Sequence, residues 1–229
     1  LRYLLGSLNG FTSSEKISTR DMSELEKWLL HRIAEVDKSV RSKTELYQFH
    51  SLYSEVHNFC AIELSSFYFD IRKDLLYCGD PNSKERKGCR TALEILFNSL
   101  TAWLAPILCF TVEEAWQSWV NKPEESVHLR TFPKIPKNWI DVNLSKKWDR
   151  IIEIRSIVLS SIENARNENI IKSSLQAVPK ISLNKQDKDL FNHIDAADLF
   201  ITSQVKFVNK EIDKPTVEIL VAEGEKCNR

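Results

Sequence analysis

Apolar residues recur at helical spacing through roughly the first 140 residues of the chain. Met22, Leu25, Trp28, Leu29, Ile33, Val36 and Val40 step by three, three, one, four, three and four, which places them on one stripe. Ser23 followed by Glu26 has the form of a capping box at the start of that helix. A second, longer helix is predicted from about Thr44 to Tyr77, with Phe49, Leu52, Tyr53, Val56, Phe59, Phe67 and Ile71 turned inward. Gly79, Asp80 and Pro81 stop it, since glycine suits the position after a helix and proline cannot continue the ladder. A third helix covers roughly Glu85 to Leu104 on a stripe of Leu93, Leu96, Phe97 and Leu100, and Pro106 ends or kinks it. Thr111 with Glu114 forms another capping pair before a short helix carrying Trp116 and Trp119. The stretch from Pro123 to Asn143 holds three of the seven prolines and reads as an irregular connector.

The period changes after about residue 140. Ser145 is placed to cap a helix on which Trp148, Ile151, Ile152, Val158, Leu159 and Ile162 share a side. Ala177 to Leu183 alternates, with Pro179 marking it as an edge strand. Ile201, Ser203, Val205 and Phe207 alternate on one face, and Val217, Ile219 and Val221 do so after Pro215. The expected fold is therefore mainly α: a helical bundle over 1–140, then a small α/β unit over 141–229 with one long helix and about three strands.

Composition narrows the function classes. Five glycines in 229 residues, with neither a G-x-G-x-x-G turn nor a P-loop, leave no sequence basis for glycine-dependent nucleotide binding. The 32 basic and 32 acidic residues cancel, which removes the simplest signature of a nucleic-acid binder but not a local basic face. No stretch approaches the ~20 consecutive apolar residues of a membrane span. The opening Leu1 to Gly10 lacks the basic region and cleavage site of a signal peptide, and without an initiator Met the chain is expected to begin and end inside a longer protein. Five cysteines without regular spacing argue against a disulfide framework and for a reducing, cytoplasmic compartment. Cys60 and Cys109 lie in apolar helical context and are expected to be buried small hydrophobes.

Catalytic constellations have little support. His31, His50, His57, His128 and His193 are scattered; His50 and His57, seven apart, read better as an exposed or core-edge pair than as metal ligands. Glu113 and Glu114 follow a threonine cap, and helix-dipole chemistry explains them. The basic run Lys84, Arg86, Lys87 and Arg90 straddles a helix start and is a candidate phosphate contact, weighed against a solvated helix end. Arg155 and Arg166, three turns apart on the later helix, and Lys172 beyond it form a second candidate set, for which a water-facing helix side is an equal reading. Trp28, Trp116 and Trp119 fall on apolar stripes and are assigned to the core, leaving Trp139 as the most loop-like ring. The terminal Gly224-Glu225-Lys226-Cys227-Asn228-Arg229 resembles the first half of a zinc knuckle, weighed against composition alone, which reads Cys227 as a free thiol.

These segments together resemble the C-terminal portion of bacterial-type isoleucyl-tRNA synthetases, over nearly the whole chain. Leu4-Leu5-Gly6-Ser7-Leu8-Asn9-Gly10-Phe11 is similar to the family's LLGNL-x-[DG]-F entry to the anticodon-binding bundle. Leu64-Ser65-Ser66-Phe67-Tyr68-Phe69-Asp70 through Lys73-Asp74-Leu75-Leu76-Tyr77 is similar to LSAFYLD-x-x-KDRLY, and Leu104-Ala105-Pro106-Ile107-Leu108 through Glu113-Glu114-Ala115-Trp116 to LAPILPFTAEE-x-W. The valine and leucine enzymes share those motifs loosely. Ile162-Glu163-Asn164-Ala165-Arg166 to Ile171-Lys172-Ser173-Ser174-Leu175-Gln176-Ala177, Leu199-Phe200-Ile201-Thr202-Ser203-Gln204-Val205 and Gly224-Glu225-Lys226-Cys227 resemble segments more particular to the isoleucine enzyme. Leu75 departs from the usual arginine, Cys109 stands where proline is usual and is read as a packing change, and Lys172 replaces a glycine.

The resemblance implies function by anatomy. The fragment is expected to bind the anticodon stem-loop of isoleucine tRNA, without catalytic residues or cofactors of its own, and to place the acceptor end on an upstream catalytic domain. ATP with magnesium, and a zinc ion for which Cys227 is one ligand, belong to the full-length ligase. No membrane partner is expected, and the chain is expected to be monomeric. The alternatives are a fragment of a valine or leucine synthetase, or a helical protein-interaction module.

Overall fold

The computed structural model describes residues 1–224. The chain divides after Asp141 into two compact units. The first is helical: α1 (Arg2–Ser7), α2 (Glu24–Glu45), α3 (Phe49–Asn58), a π-helical stretch (Phe59–Tyr68), α4 (Phe69–Cys78), α5 (Lys84–Leu104) and α6 (Cys109–Val120). The α2 stripe is the spine of its core, with Leu25, Trp28, Leu29, Ile33, Val36 and Val40 at most 5% exposed. Against it lie the α5 residues Leu93, Leu96, Phe97 and Leu100 and the fully buried Trp103.

Three local expectations change. The long helix predicted from Thr44 is interrupted before α3: α2 runs on to Glu45, and Tyr47 turns the chain at φ 55°, a left-handed conformation in a non-glycine residue. Phe49 and Tyr53 beyond that turn are exposed, not inward. Glu26 does not complete a cap on α2. Its carboxylate is buried and accepts from Arg72 Nε at 2.7 Å, Arg72 Nη2 at 2.9 Å and the Tyr68 hydroxyl at 3.1 Å, and Ser23 Oγ also donates to it. This network ties α2 to the junction of the π-helical stretch and α4. Gly79 stops α4 in an extended conformation, φ −70° and ψ 154°; a Cβ there would come within 2.4 Å of the Leu75 carbonyl oxygen, so close approach requires the glycine.

α6 starts two residues before Thr111, and Cys109 is its exposed first residue. That overturns the packing reason for the cysteine. The first helical position has an unpartnered N–H, so proline and a non-proline residue are both at ease there. Cys60 is half-buried, and the thiol sealed in the core is Cys89, which burial pushes up to about 12.

The second unit holds α7 (Val142–Asn167), β1 (Ala177–Leu183), α8 (Lys185–Asp189), α9 (Ala196–Phe200), β2 (Lys206–Asn209) and β3 (Thr216–Val221). α7 begins three residues before Ser145, and Ile154 joins Trp148, Ile151, Val158 and Ile162 in the core while Ile152 is half-buried. The sheet order is β2-β1-β3, so β1 is the central strand and not an edge. Pro179 is tolerated because parallel pairing with β2 begins at Lys180; at Pro179 the strand faces only Ile219 of β3. The strand expected from Ile201 begins at Lys206. Ile201 instead closes α9 at φ 56°, with its N–H on the Asp198 carbonyl and that of Thr202 on the Ala197 carbonyl.

Candidate nucleic-acid interface

The basic run at the start of α5 is only partly available to a ligand. Ser83 caps the helix by accepting from the Arg86 N–H at 3.2 Å. Lys84 is exposed and pairs with Asp21 at 3.0 Å. The Arg86 side chain donates from Nε to the Leu76 carbonyl at 3.2 Å, bracing the end of α4, and Lys87 is half-buried. Arg90 is buried. It pairs with Glu15 at 3.0 Å, donates to the Asn9 carbonyl at 2.8 Å and lies over the Phe11 ring at 5.4 Å, so its guanidinium holds the segment after α1 against α5.

The second predicted set also splits. Arg155 is buried, with Nε donating to the Leu199 carbonyl at 2.9 Å, and serves α7–α9 packing. Arg166 is half-exposed and pairs with Glu163 one turn back at 2.8 Å. Lys172 is exposed, while its backbone N–H donates to Gln176 Oε1 at 2.7 Å. Arg90 and Arg155 therefore leave the set of accessible cations, because a buried, hydrogen-bonded guanidinium presents nothing to a phosphate. Cys227 lies outside the described residues. Among the described residues no three His, Cys, Asp or Glu side chains gather as a metal site.

A cationic site of a different kind lies within the first unit. The connector after α6 is laid over the bundle and pinned along its length. Glu113 accepts from the Val127 N–H at 2.8 Å and from Ser126 Oγ at 3.0 Å, and these contacts hold its carboxyl below the usual range, with the Gln117 hydrogen bond the largest cause. Trp116 Nε1 donates to the Glu125 carbonyl at 2.7 Å. Arg130 lies 3.8 Å over the Trp116 ring and reaches Thr101 Oγ1 of α5 at 3.0 Å. Arg41 of α2 donates to the Pro133 carbonyl at 2.7 Å. At the far end the Asp141 N–H donates to Nδ1 of the fully buried His31 at 2.9 Å, and Nε2 of that ring lies 3.2 Å from the Glu35 carboxylate.

Between α2 and this strap is a cleft of about 820 Å³. Lys38 and Arg41 line it from the helix; Phe132, Lys134, Ile135, Pro136, Lys137 and Ile140 line it from the connector. The walls are largely apolar, and four cations face one carboxylate, that of Asp37. Lys38, Lys134 and Lys137 are exposed and make no ion pair among the described residues. Apolar and aromatic surface for a base, rimmed by free cations for phosphate, is the arrangement that single-stranded RNA rewards. Sequence spacing does not join the two walls, which lie about a hundred positions apart. The local signal is Phe132-Pro133-Lys134-Ile135-Pro136-Lys137, in which ring, aliphatic and lysine positions interleave.

The profile of the family described as the anticodon-binding domain of tRNA ligase matches residues 26–182. The chain belongs to that family. It is 41% identical to an isoleucine–tRNA ligase of Pelagibacter ubique over 99% of this chain and 25% of that protein. Corresponding ligases of Gluconobacter oxydans and Caldicellulosiruptor saccharolyticus are 38% and 37% identical over the whole chain, which is 24% and 25% of their lengths. The chain thus spans about a quarter of the curated relatives it matches. The matched family segment takes in α2 from Glu26 onward, the connector and both walls of the cleft.

Proposed function

We propose that this chain binds the anticodon stem-loop of isoleucine tRNA as part of an isoleucine–tRNA ligase, and does no chemistry itself. The observation that carries this reading is the cleft, where Phe132, Ile135 and Ile140 offer surface to an unstacked base and Lys38, Lys134 and Lys137 offer charge to its phosphates. Lys84, Arg86, Lys87, Arg166 and Lys172 are further phosphate contacts that orient the stem. ATP with magnesium acts in the ligase's upstream catalytic domain, against which the bound tRNA is held, and Cys227 contributes one ligand to the zinc of the complete ligase. The ligase works as a cytoplasmic monomer.

The test is binding of this chain to isoleucine tRNA and valine tRNA over graded salt. Preference for isoleucine tRNA is expected, with log affinity falling linearly as log salt rises. Replacing Lys38, Lys134 and Lys137 together by alanine should flatten that slope by about two, at ~0.7 per single-strand phosphate. No binding at low salt, or indifference to the anticodon, overturns the reading.

A further inference from the structure

Arg41 differs from the other cations of the cleft in how tightly it is held. Its Nε donates to Asp37 Oδ2 at 2.7 Å, one N–H of Nη2 donates to the Pro133 carbonyl at 2.7 Å, and its guanidinium lies over Phe132 at 5.4 Å. Asp37 is itself fixed. It is 6% exposed, and its second oxygen accepts from Nε1 of the fully buried Trp103 at 3.0 Å. Two of the five guanidinium N–H groups are thereby occupied in an order that sets the plane of the fork. The two Nη1 N–H groups and the second N–H of Nη2 have no protein partner among the described residues, so each terminal nitrogen of Arg41 keeps a donor for the cleft it lines. The neighbouring lysines carry point charges on long stems, which suits phosphate, whereas an oriented planar fork suits two adjacent acceptors.

We propose that Arg41 is the specificity-determining side chain of the cleft, donating to two neighbouring acceptors on one edge of a single unstacked base, with Asp37 and Trp103 as positioning residues. Guanine, with O6 and N7, presents such an edge. The base lies against the apolar wall of Ile135, Pro136 and Ile140, and the lysines take the flanking phosphates. The assignment rests on the RNA-binding reading above and adds to it the atom-level source of discrimination. Lysine cannot replace Arg41, because one ammonium cannot make a planar paired contact.

The experiment measures binding of the 229-residue chain to an isoleucine anticodon stem-loop and to variants altered one loop base at a time, 7-deazapurines included. Wild type, Arg41→Ala, Arg41→Lys and Trp103→Phe are compared, with thermal unfolding recorded for each. At one loop position wild type is expected to lose about tenfold on base alteration, and both Arg41 variants to show no loss there. Trp103→Phe, which keeps every charge, should reduce that discrimination while leaving the salt slope unchanged; a purely structural role would not separate the two. If both Arg41 variants discriminate at every position as wild type does, the assignment is wrong. It is equally wrong if the Arg41 contribution disappears on replacing one phosphate by a methylphosphonate and not on altering a base. Failure of wild type to bind the stem-loop at all would instead remove the RNA reading of the whole cleft.

Discussion

The start of α5 and the cleft beside α2 each gather four basic side chains, and they use them in opposite ways. On α5, Lys84, Arg86, Lys87 and Arg90 fall within seven residues, and three of the four side chains bond to Asp21, the Leu76 carbonyl, or Glu15 and Asn9. In the cleft, Lys38 and Arg41 come from a helix, Lys134 and Lys137 from a strap nearly a hundred residues later, and the three lysines make no ion pair among the described residues. A run at a helix start meets the segments packed around that helix, including the carboxylates and carbonyls that need satisfying. Cations brought together across a cleft keep free space between them, and that space admits a ligand.

The largest effect that can break this contrast is at Arg90. Removing a buried cation leaves Glu15 and the Asn9 carbonyl short of a donor, so Arg90→Ala is expected to cost about 3 kcal/mol of stability. Chemical denaturation measures the loss. The RNA affinity of the folded protein, and its salt dependence, should stay at wild-type values. A fall in the salt slope with stability intact would make Arg90 a ligand contact and erase the difference between the two regions.

What could be read from the chain follows the range over which each signal acts. The α2 and α5 stripes are local and periodic, and their predicted residues are buried. The break at Leu46-Tyr47-Gln48 has no glycine or proline to announce it, and the apolar spacing continues across it. The π-helical stretch has no signal of its own because its apolar residues fit any helical period; its buried positions Phe59, Leu64, Phe67 and Tyr68 step by five, three and one. Burial of Arg90 and Arg155 is equally illegible, since basic residues on a helix read as solvent-facing until the packing partner is known. For the cleft, the connector half is visible as alternating ring, proline and lysine, but nothing in sequence spacing names α2 as the opposite wall.

An intermediate effect sharpens the contrast from the second unit, where Arg150 is another cation committed to the fold. It donates from Nε and Nη2 to the two oxygens of Asp187, at 2.9 and 2.6 Å, joining α7 to α8. The hydrogen bonds from Arg150 hold the Asp187 carboxyl below the usual aspartate range. A carboxyl whose folded pKa is depressed adds stability above its unfolded value of about 4, and loses that contribution as pH falls through the folded value. Wild type is therefore expected to lose about 1–2 kcal/mol through this pair on acidification below about pH 4. Asp187→Asn should be less stable at neutral pH and lack that part of the acid dependence, as read from unfolding midpoints across pH. If both proteins show the same pH slope, the pair is not a determinant of stability.

The smallest effect tests the phosphate contacts proposed for Lys84 and Lys87 at the start of α5. Lys84 is more than half exposed and its pair with Asp21 is an exposed one, which ordinarily contributes under about 1 kcal/mol. Lys87 has no ion pair among the described residues and is the freest cation of the run. The double substitution Lys84→Ala with Lys87→Ala should thus change the unfolding midpoint only slightly. Its informative readout is the salt dependence of tRNA binding. A slope lowered by about 0.9 for each duplex phosphate no longer neutralised would place the anticodon stem along the start of α5 and extend the interface beyond the cleft. An unchanged slope would confine phosphate binding to residues other than these, with α5 then serving the bundle through Arg90 and Arg86 alone.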